Sequence, residues 1–158
     1  MSRLRPGWLV ALCAAVISFS AWLPWLTTNV NGGGRANAIG GSVGSLNLPP
    51  GFGPGQLIVL LSSALLVAGA MVGRGLSARL ASVAALAISL LIAVLTVWYY
   101  DVNVHPPVAA AYGLYGGAAA ATGAVICSGW ALVSSLRAGR QPDAGHQQVR
   151  SPPRSERL

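Results

Sequence analysis

Long apolar stretches alternate with glycine-rich or polar segments along this chain. Four such stretches cover residues 8–26, 57–73, 80–100 and 108–136, and none of them contains a charged side chain. A bilayer core about 30 Å thick needs about 20 helical residues to cross it. The pattern therefore predicts an all-α integral membrane bundle of four transmembrane helices, formed by residues 1–136.

The segment between the first two stretches, residues 27–54, is a 28-residue outer loop with eight Gly and three Pro. That length is unusual for a structureless connection. The loop carries several apolar side chains among its glycines: Ile39, Val43, Leu46, Leu48 and Phe52. One interpretation is a small extracellular cap of short β-strands that pair with residues 102–104. The other is a flexible loop, and the sequence leaves both open.

The remaining connections are short. Residues 74–79 predict a tight turn, and Pro106 and Pro107 are suited to the first turn of the fourth helix. Pro24 predicts a kink or the end of the first helix. Residues 137–158 are polar, with five Arg and three Pro, and predict a disordered, basic cytoplasmic tail.

Arginine is the only cation in the chain, and its distribution is one-sided. Nine of the ten arginines fall at the N-terminus, in the turn at 74–79 or in the C-terminal tail, and only Arg35 falls on the other side. Cytoplasmic segments of membrane proteins retain Lys and Arg. We therefore expect a multi-pass plasma-membrane protein with both termini in the cytoplasm and a basic inner face that attracts anionic lipid.

Aromatic side chains mark the ends of the apolar stretches, as expected from the preference of Trp and Tyr for the membrane–water interface. Trp8 marks the expected inner interface. The expected outer interface is marked by Trp22, Trp25, Trp98, Tyr99 and Tyr100.

The first apolar stretch also has features of a cleaved secretory signal. Arg3 and Arg5 precede it, and Ser18 and Ser20 are small residues at a cleavable spacing. The apolar character continues to residue 26, which favours a retained helix. Both interpretations give the same orientation for the other three spans, and the sequence does not decide between them.

Small residues repeat every four positions in three predicted helices, a spacing that lets helices approach closely in lipid. The second helix has Gly69 and Gly73, and the third has Ala81, Ala85, Ser89 and Ala93. The fourth has two adjacent ladders: Ala109, Gly113, Gly117 and Ala121, then Gly116, Ala120, Ala124 and Ser128. We expect these residues to pack the helices together, with the fourth helix at the centre.

Composition and motifs exclude several classes of protein. Hydrophobic residues make up 54% and charged residues 8%, too few charges to cover a water-facing surface. The net charge of +7 lies in the ends and turns, so we expect no nucleic-acid binding. The chain has three acids, two His and no HExxH, P-loop, GxSxG or CxxC motif. We expect no enzymatic activity, no metal and no cofactor.

Asp101 and His105 form the one candidate polar site, together with Arg35. The acid and the imidazole lie four residues apart at the predicted outer surface, where they could bind a metal or relay a proton. Structural zinc requires four ligands. The favoured interpretation is therefore hydrated turn residues, with Asp101 facing Arg35. Cys13 and Cys127 lie in apolar stretches at similar depth and could approach each other, but we expect them to act as small apolar residues.

Three motifs resemble small four-helix (tetraspan) membrane proteins of actinobacteria, a group of unassigned function: WLPWLTT at 22–28, LPPGFG at 48–53 and YGLYG at 112–116. The likeness covers roughly residues 8–136, and the arginine-only, Ala/Gly-rich composition is similar to that of high-GC proteomes. The resemblance implies the four-helix fold and no particular chemistry. The loop layout is also similar to that of claudin-like tetraspans, but the chain lacks their paired loop cysteines.

The sequence therefore predicts a non-enzymatic plasma-membrane protein that is an accessory or assembly subunit in the cell envelope. Its partners would be the lipid bilayer and either another membrane protein or its own copies. The alternative is a small homo-oligomeric channel or transporter subunit. Hydroxyl side chains could contribute to such a pore, unless they bond back to their own helices: Ser62, Ser63, Ser89, Thr96 and Thr122.

Overall fold

The computed structural model describes residues 6–46 and 53–138, which form four helices and a small sheet. The helices are α1 (Pro6–Ser20), α2 (Pro54–Arg74), α3 (Ala78–Asn103) and α4 (Tyr112–Ala138). α1 packs against α2 and α4, and α3 packs against the same two helices, so the four are arranged in a ring. The expectation that the fourth helix is central is therefore wrong, because each helix has two main helical neighbours.

Three helices, α2, α3 and α4, are long and apolar enough to cross a membrane. The prediction of a helical chain with segments able to cross a membrane is therefore confirmed for these three helices. α1 has 15 residues, which span about 22 Å at helical rise and fall short of a bilayer core. Side chains that point away from the bundle are also apolar, as expected for helices surrounded by lipid. Exposed examples are Leu12, Leu60, Leu80, Leu90 and Ile126.

Four short strands form one antiparallel sheet: β1 (Pro24–Thr28), β2 (Gly34–Asn37), β3 (Ser42–Gly44) and β4 (Val108–Ala110). The order across the sheet is β3-β2-β1-β4. Of the two interpretations of the long loop, the strand cap is the one observed, with β2 and β3 inside the loop. β1 was not predicted, because residues 24–26 belong to the stretch expected to be helical. The predicted pairing of the cap with residues 102–104 is wrong, because α3 continues to Asn103 and β1 pairs with β4 instead.

The start of the fourth helix also differs from the prediction. Pro106 and Pro107 precede β4 rather than the helix, and the Thr28 hydroxyl donates a hydrogen bond to the Pro107 carbonyl at 3.1 Å. Ala109 pairs with Thr27 in the sheet, so it is not part of a helical ladder. The helix begins at Tyr112 because the preceding backbone groups are already used by β1.

The first helix ends at Ser20, six residues before the end of its apolar stretch at residue 26. Pro24 has no N–H to continue the helical ladder and disfavours helical geometry in the residue before it. The carbonyls at the end of the helix accept hydrogen bonds from outside it. Trp25 Nε1 donates to Ser20 O at 2.8 Å, and Ala38 N donates to Ala21 O at 3.2 Å. The predicted helix end at Pro24 is therefore observed, with a strand following it.

Two local motifs connect these elements. Gly75 ends α2 in the left-handed conformation (φ +77°), and the N–H of Leu76 donates to Met71 O at 3.0 Å, as in a Schellman cap. At the other end of α2, Gln56 accepts from Gly53 N at 3.0 Å and donates to Ile39 O at 2.9 Å. Gln56 thereby ties the sheet to the bundle.

Several predictions concern residues outside the described ranges. These are the residues before Pro6, including Arg3 and Arg5, the segment 47–52 with Leu48 and Phe52, and the tail from residue 139 onward.

Candidate functional site

The sheet is held on the bundle by Trp25. Pro24 pairs with Asn37 and Leu26 with Ala36, so Trp25 is an extra residue at a β-bulge. A bulge can redirect a side chain. In a regular strand, adjacent side chains point to opposite faces of the sheet. Because of the bulge, the adjacent residues Trp25 and Leu26 are both buried.

The indole of Trp25 occupies a socket between α3 and α4, and its exposed fraction is 0%. A Cβ placed on Gly113 would lie 2.8 Å from Trp25 Cδ1, and one on Gly117 would lie 3.0 Å from Trp25 Cζ2. Tyr99 contacts the ring from α3. The prediction that Trp25 and Tyr99 mark the membrane interface is therefore wrong for both, because the bulge and the two glycines bury them in the core.

One face of the sheet is free of the bundle. Val43, Arg35, Thr27 and Ala109 are in register across the four strands, and all except the half-buried Thr27 are exposed. We call these four residues the exposed row. The adjacent row contains Ala36 and Leu26, which are buried against the bundle. Arg35 and Val43 also line two shallow clefts of about 390 and 470 Å³.

The three residues of the candidate polar site are not joined. Arg35 lies in β2, Asp101 in the last turn of α3, and His105 in the connection to β4; all three are exposed. Within the described ranges no hydrogen bond or ion pair links them. Nor do those ranges contain a group of three or more His, Cys, Asp or Glu that could hold a metal ion.

The predicted packing glycines of α2 lie directly against α1. A Cβ on Gly69 would lie 2.7 Å from Ala11 N, and one on Gly73 would lie 3.1 Å from the Trp8 indole. Gly7 on α1 is a third glycine of this helix contact, because a Cβ there would overlap the backbone of Gly73. Sequence reasoning missed Gly7, although its spacing of four from Ala11 is the same small-residue signal.

The remaining packing candidates divide into buried and exposed residues. The buried group is Ala81, Ala85, Ser89, Gly113, Gly117, Ala121 and Ala124. Ala93 and Ala120 are half-buried. Gly116 is exposed, and a Cβ there would meet nothing within 4 Å. No other helix of the described part of the chain is therefore packed against Gly116 at this point.

The two cysteines lie together, on α1 and α4. The side chain of Cys13 interacts with that of Cys127, and both thiols are free. Cys13 Sγ would also lie 3.4 Å from a Cβ on Gly123, so α4 is close to α1 at this level. The five hydroxyls considered for a pore each donate to a carbonyl of their own helix: Ser62, Ser63, Ser89, Thr96 and Thr122.

Exposed Trp and Tyr side chains lie near both ends of the bundle. At the sheet end they are Trp22, Trp98, Tyr100, Tyr112 and Tyr115. At the other end they are Trp8 and Trp130. Tyr115 and Trp130 are 15 residues apart on α4, about 22 Å along the axis. That separation is shorter than a bilayer core of about 30 Å.

Comparison with family models, curated proteins and solved structures finds no match. The resemblance to actinobacterial tetraspans therefore stays a prediction.

Proposed function

We propose that this protein is a non-enzymatic plasma-membrane subunit that supports assembly or an accessory function in the cell envelope. The observation that carries the proposal is the exposed row, a free sheet face held rigidly on the bundle by Trp25. A rigid surface costs little conformational entropy when a partner binds it. Arg35 gives this surface a positive centre, which suits a partner with an acidic group.

The proposal includes four transmembrane helices, with α1 retained rather than cleaved. Support comes from the contacts of α1 and of the residues that follow it, which together run the height of the bundle. Gly7 meets Gly73 near the end of α2, whereas Pro24 meets Gly113 near the start of α4. α1 and the residues that follow it thus extend from the α2–α3 turn to the sheet.

Both termini would then be cytoplasmic. In the described ranges, Arg74, Arg79 and Arg137 lie at the end of the bundle opposite the sheet, and the only cation at the sheet end is Arg35. This asymmetry supports an extracellular sheet. The intact mass of the purified protein would test whether α1 is retained, since cleavage would remove it.

Mild-detergent purification with mass spectrometry of co-eluting proteins tests the assembly role. We expect a stable partner with the natural chain and its loss with Arg35→Glu or Val43→Asp. Asp101→Asn is the matched control, because it changes a charge at the sheet end outside the exposed row. A partner that binds all four chains equally would contradict docking on the exposed row.

A homo-oligomeric channel or transporter subunit is the second candidate. Gly116, Ala119 and Thr122 are exposed on one face of α4, so α4 helices of two copies could approach closely there. The natural chain would then run as an oligomer that conducts ions in liposomes, and Gly116→Leu would dissociate it. A monomer without conductance would contradict this function.

A further inference from the structure

We infer that the sheet end of α3 binds one phospholipid, with an acyl chain on each side of Val97. The inference depends on the membrane location proposed above and goes beyond it, because it names a ligand and its site. It rests on two apolar grooves that open on the outer surface of the bundle and share Val97 as the ridge between them.

The first groove, which we call the α3–α4 groove, has a volume of about 200 Å³. It is lined by Thr96, Val97, Tyr100, Leu114, Tyr115 and Ala118. The Thr96 hydroxyl is already donated to Ile92 O at 2.8 Å, so it leaves no free donor for a ligand. Ligand pockets are commonly 300–1,000 Å³. The groove is thus too small for a whole ligand of that kind but suits a segment of a flexible chain.

The second groove, which we call the α3 groove, has a volume of about 390 Å³ and is lined by Ala93, Val94, Val97, Trp98 and Asp101. Positions 93, 97 and 101 recur every four residues, so the groove runs along the helix axis. An acyl chain aligned with the bilayer normal would follow that direction.

The two grooves place polar and aromatic groups at the same end. Tyr100 and Trp98 are exposed near the sheet end of α3, at the level where amphipathic rings favour the lipid headgroup region. Asp101 lies at this end of the α3 groove and is exposed. A carboxylate there attracts the ammonium of an aminolipid and repels an anionic headgroup. The two grooves suit the acyl chains of a phospholipid, and the charge of Asp101 favours phosphatidylethanolamine over phosphatidylglycerol.

The test is native mass spectrometry of delipidated protein titrated with these two lipids, which should carry identical acyl chains. We expect one bound lipid and about fivefold tighter binding of phosphatidylethanolamine, the ratio expected for one charge near the surface. Asp101→Asn should keep the lipid and lose the preference. Equal binding of both lipids by the natural chain, or a preference that survives in Asp101→Asn, would overturn the headgroup assignment.

Ala118→Phe and Ala118→Leu should fill the α3–α4 groove and weaken lipid binding. Ala119→Phe is the matched control, because Ala119 is the exposed neighbour and lines neither groove. Circular dichroism would verify that each variant keeps its helices. Equal lipid binding by Ala118→Leu and Ala119→Phe would overturn the site. A change of oligomeric mass in the Ala118 variants would also overturn it, because the groove would then be the binding site of a helix from another protein chain.

The membrane location is tested separately by extraction of membranes with alkaline carbonate. Release of the protein into the aqueous fraction would contradict the proposed function itself. Retention in the membrane combined with failure of the lipid titration would contradict the lipid site alone.

Discussion

The indole of Trp25 meets the phenol ring of Tyr99 edge-on, with ring centroids 5.0 Å apart and ring planes at 90°. This contact joins the sheet to α3. It has the T-shaped geometry favoured by the ring quadrupoles, and it is completed by the hydrogen bond from Trp25 Nε1 to Ser20 O.

Removal of the indole should destabilise the whole fold. Trp25→Ala would empty the socket, and we expect the free energy of unfolding to fall by about 3–5 kcal/mol. Unfolding in detergent, followed by circular dichroism, measures the loss. Trp22→Ala is the control, since Trp22 is 70% exposed and should have little effect. Equal losses in the two variants would contradict the role of the socket.

Tyr99→Phe should not destabilise the protein. The Tyr99 hydroxyl is buried and has no hydrogen-bond partner among the described residues. A buried hydroxyl without a partner carries an uncompensated desolvation cost, so its removal should leave the free energy of unfolding unchanged or raise it by about 1 kcal/mol. The same unfolding assay applies, with Tyr100→Phe as the exposed control. A clear loss of stability in Tyr99→Phe would reveal a partner for this hydroxyl.

Two adjacent glycines of α4 should respond oppositely to the same substitution. Gly117→Leu should disrupt the fold, because even its Cβ would lie 2.9 Å from Ser20 Oγ and 3.0 Å from Trp25 Cζ2. Gly116→Leu should keep the monomer folded and gain helix propensity of about 0.8 kcal/mol. Detergent-solubilised yield and thermal unfolding measure both effects. If Gly117→Leu is as stable as the natural chain, the close approach of α4 to Trp25 is wrong.

Oxidation should join Cys13 to Cys127. Their side chains interact across the α1–α4 contact, so copper–phenanthroline should form an intramolecular disulfide. Intact mass and maleimide labelling detect the product. Cys13→Ser should retain one thiol that reacts with maleimide and form no intramolecular bond. Persistence of two free thiols in the natural chain after oxidation would place the helices further apart.

Local patterns were sufficient to predict the helices but not the sheet. Long charge-free stretches correspond to α2 and α3 within a few residues, because the hydrophobic length required by a bilayer is a property of the chain itself. The cap was predicted less well. β2 and β3 lie in the expected loop, but most of β1 lies in the stretch predicted as the first helix. The partner strand of β1 is β4, which comes from residues 108–110, and Val108 is 80 positions beyond Thr28.

The helix-packing glycines were likewise predicted only in part. Gly69 and Gly73 were identified from their spacing, because close helix packing needs small residues at regular intervals. Gly116 has the same spacing but is exposed, since residues one position apart on a helix face different directions. Which glycine faces a neighbour depends on how the helix is rotated in the bundle.

The sequence alone determined that this chain is rich in apolar helices and that nine of its ten arginines fall before residue 6, at 74–79 or from residue 137 onward. Both properties depend on composition along short segments. Only the tertiary structure decided that Trp25, which looks like an interfacial residue, is the centre of the core. The reason is physical: the bulge in β1 turns the indole inward, and the space that receives it exists only because Gly113, Gly117 and Tyr99 meet there from two different helices.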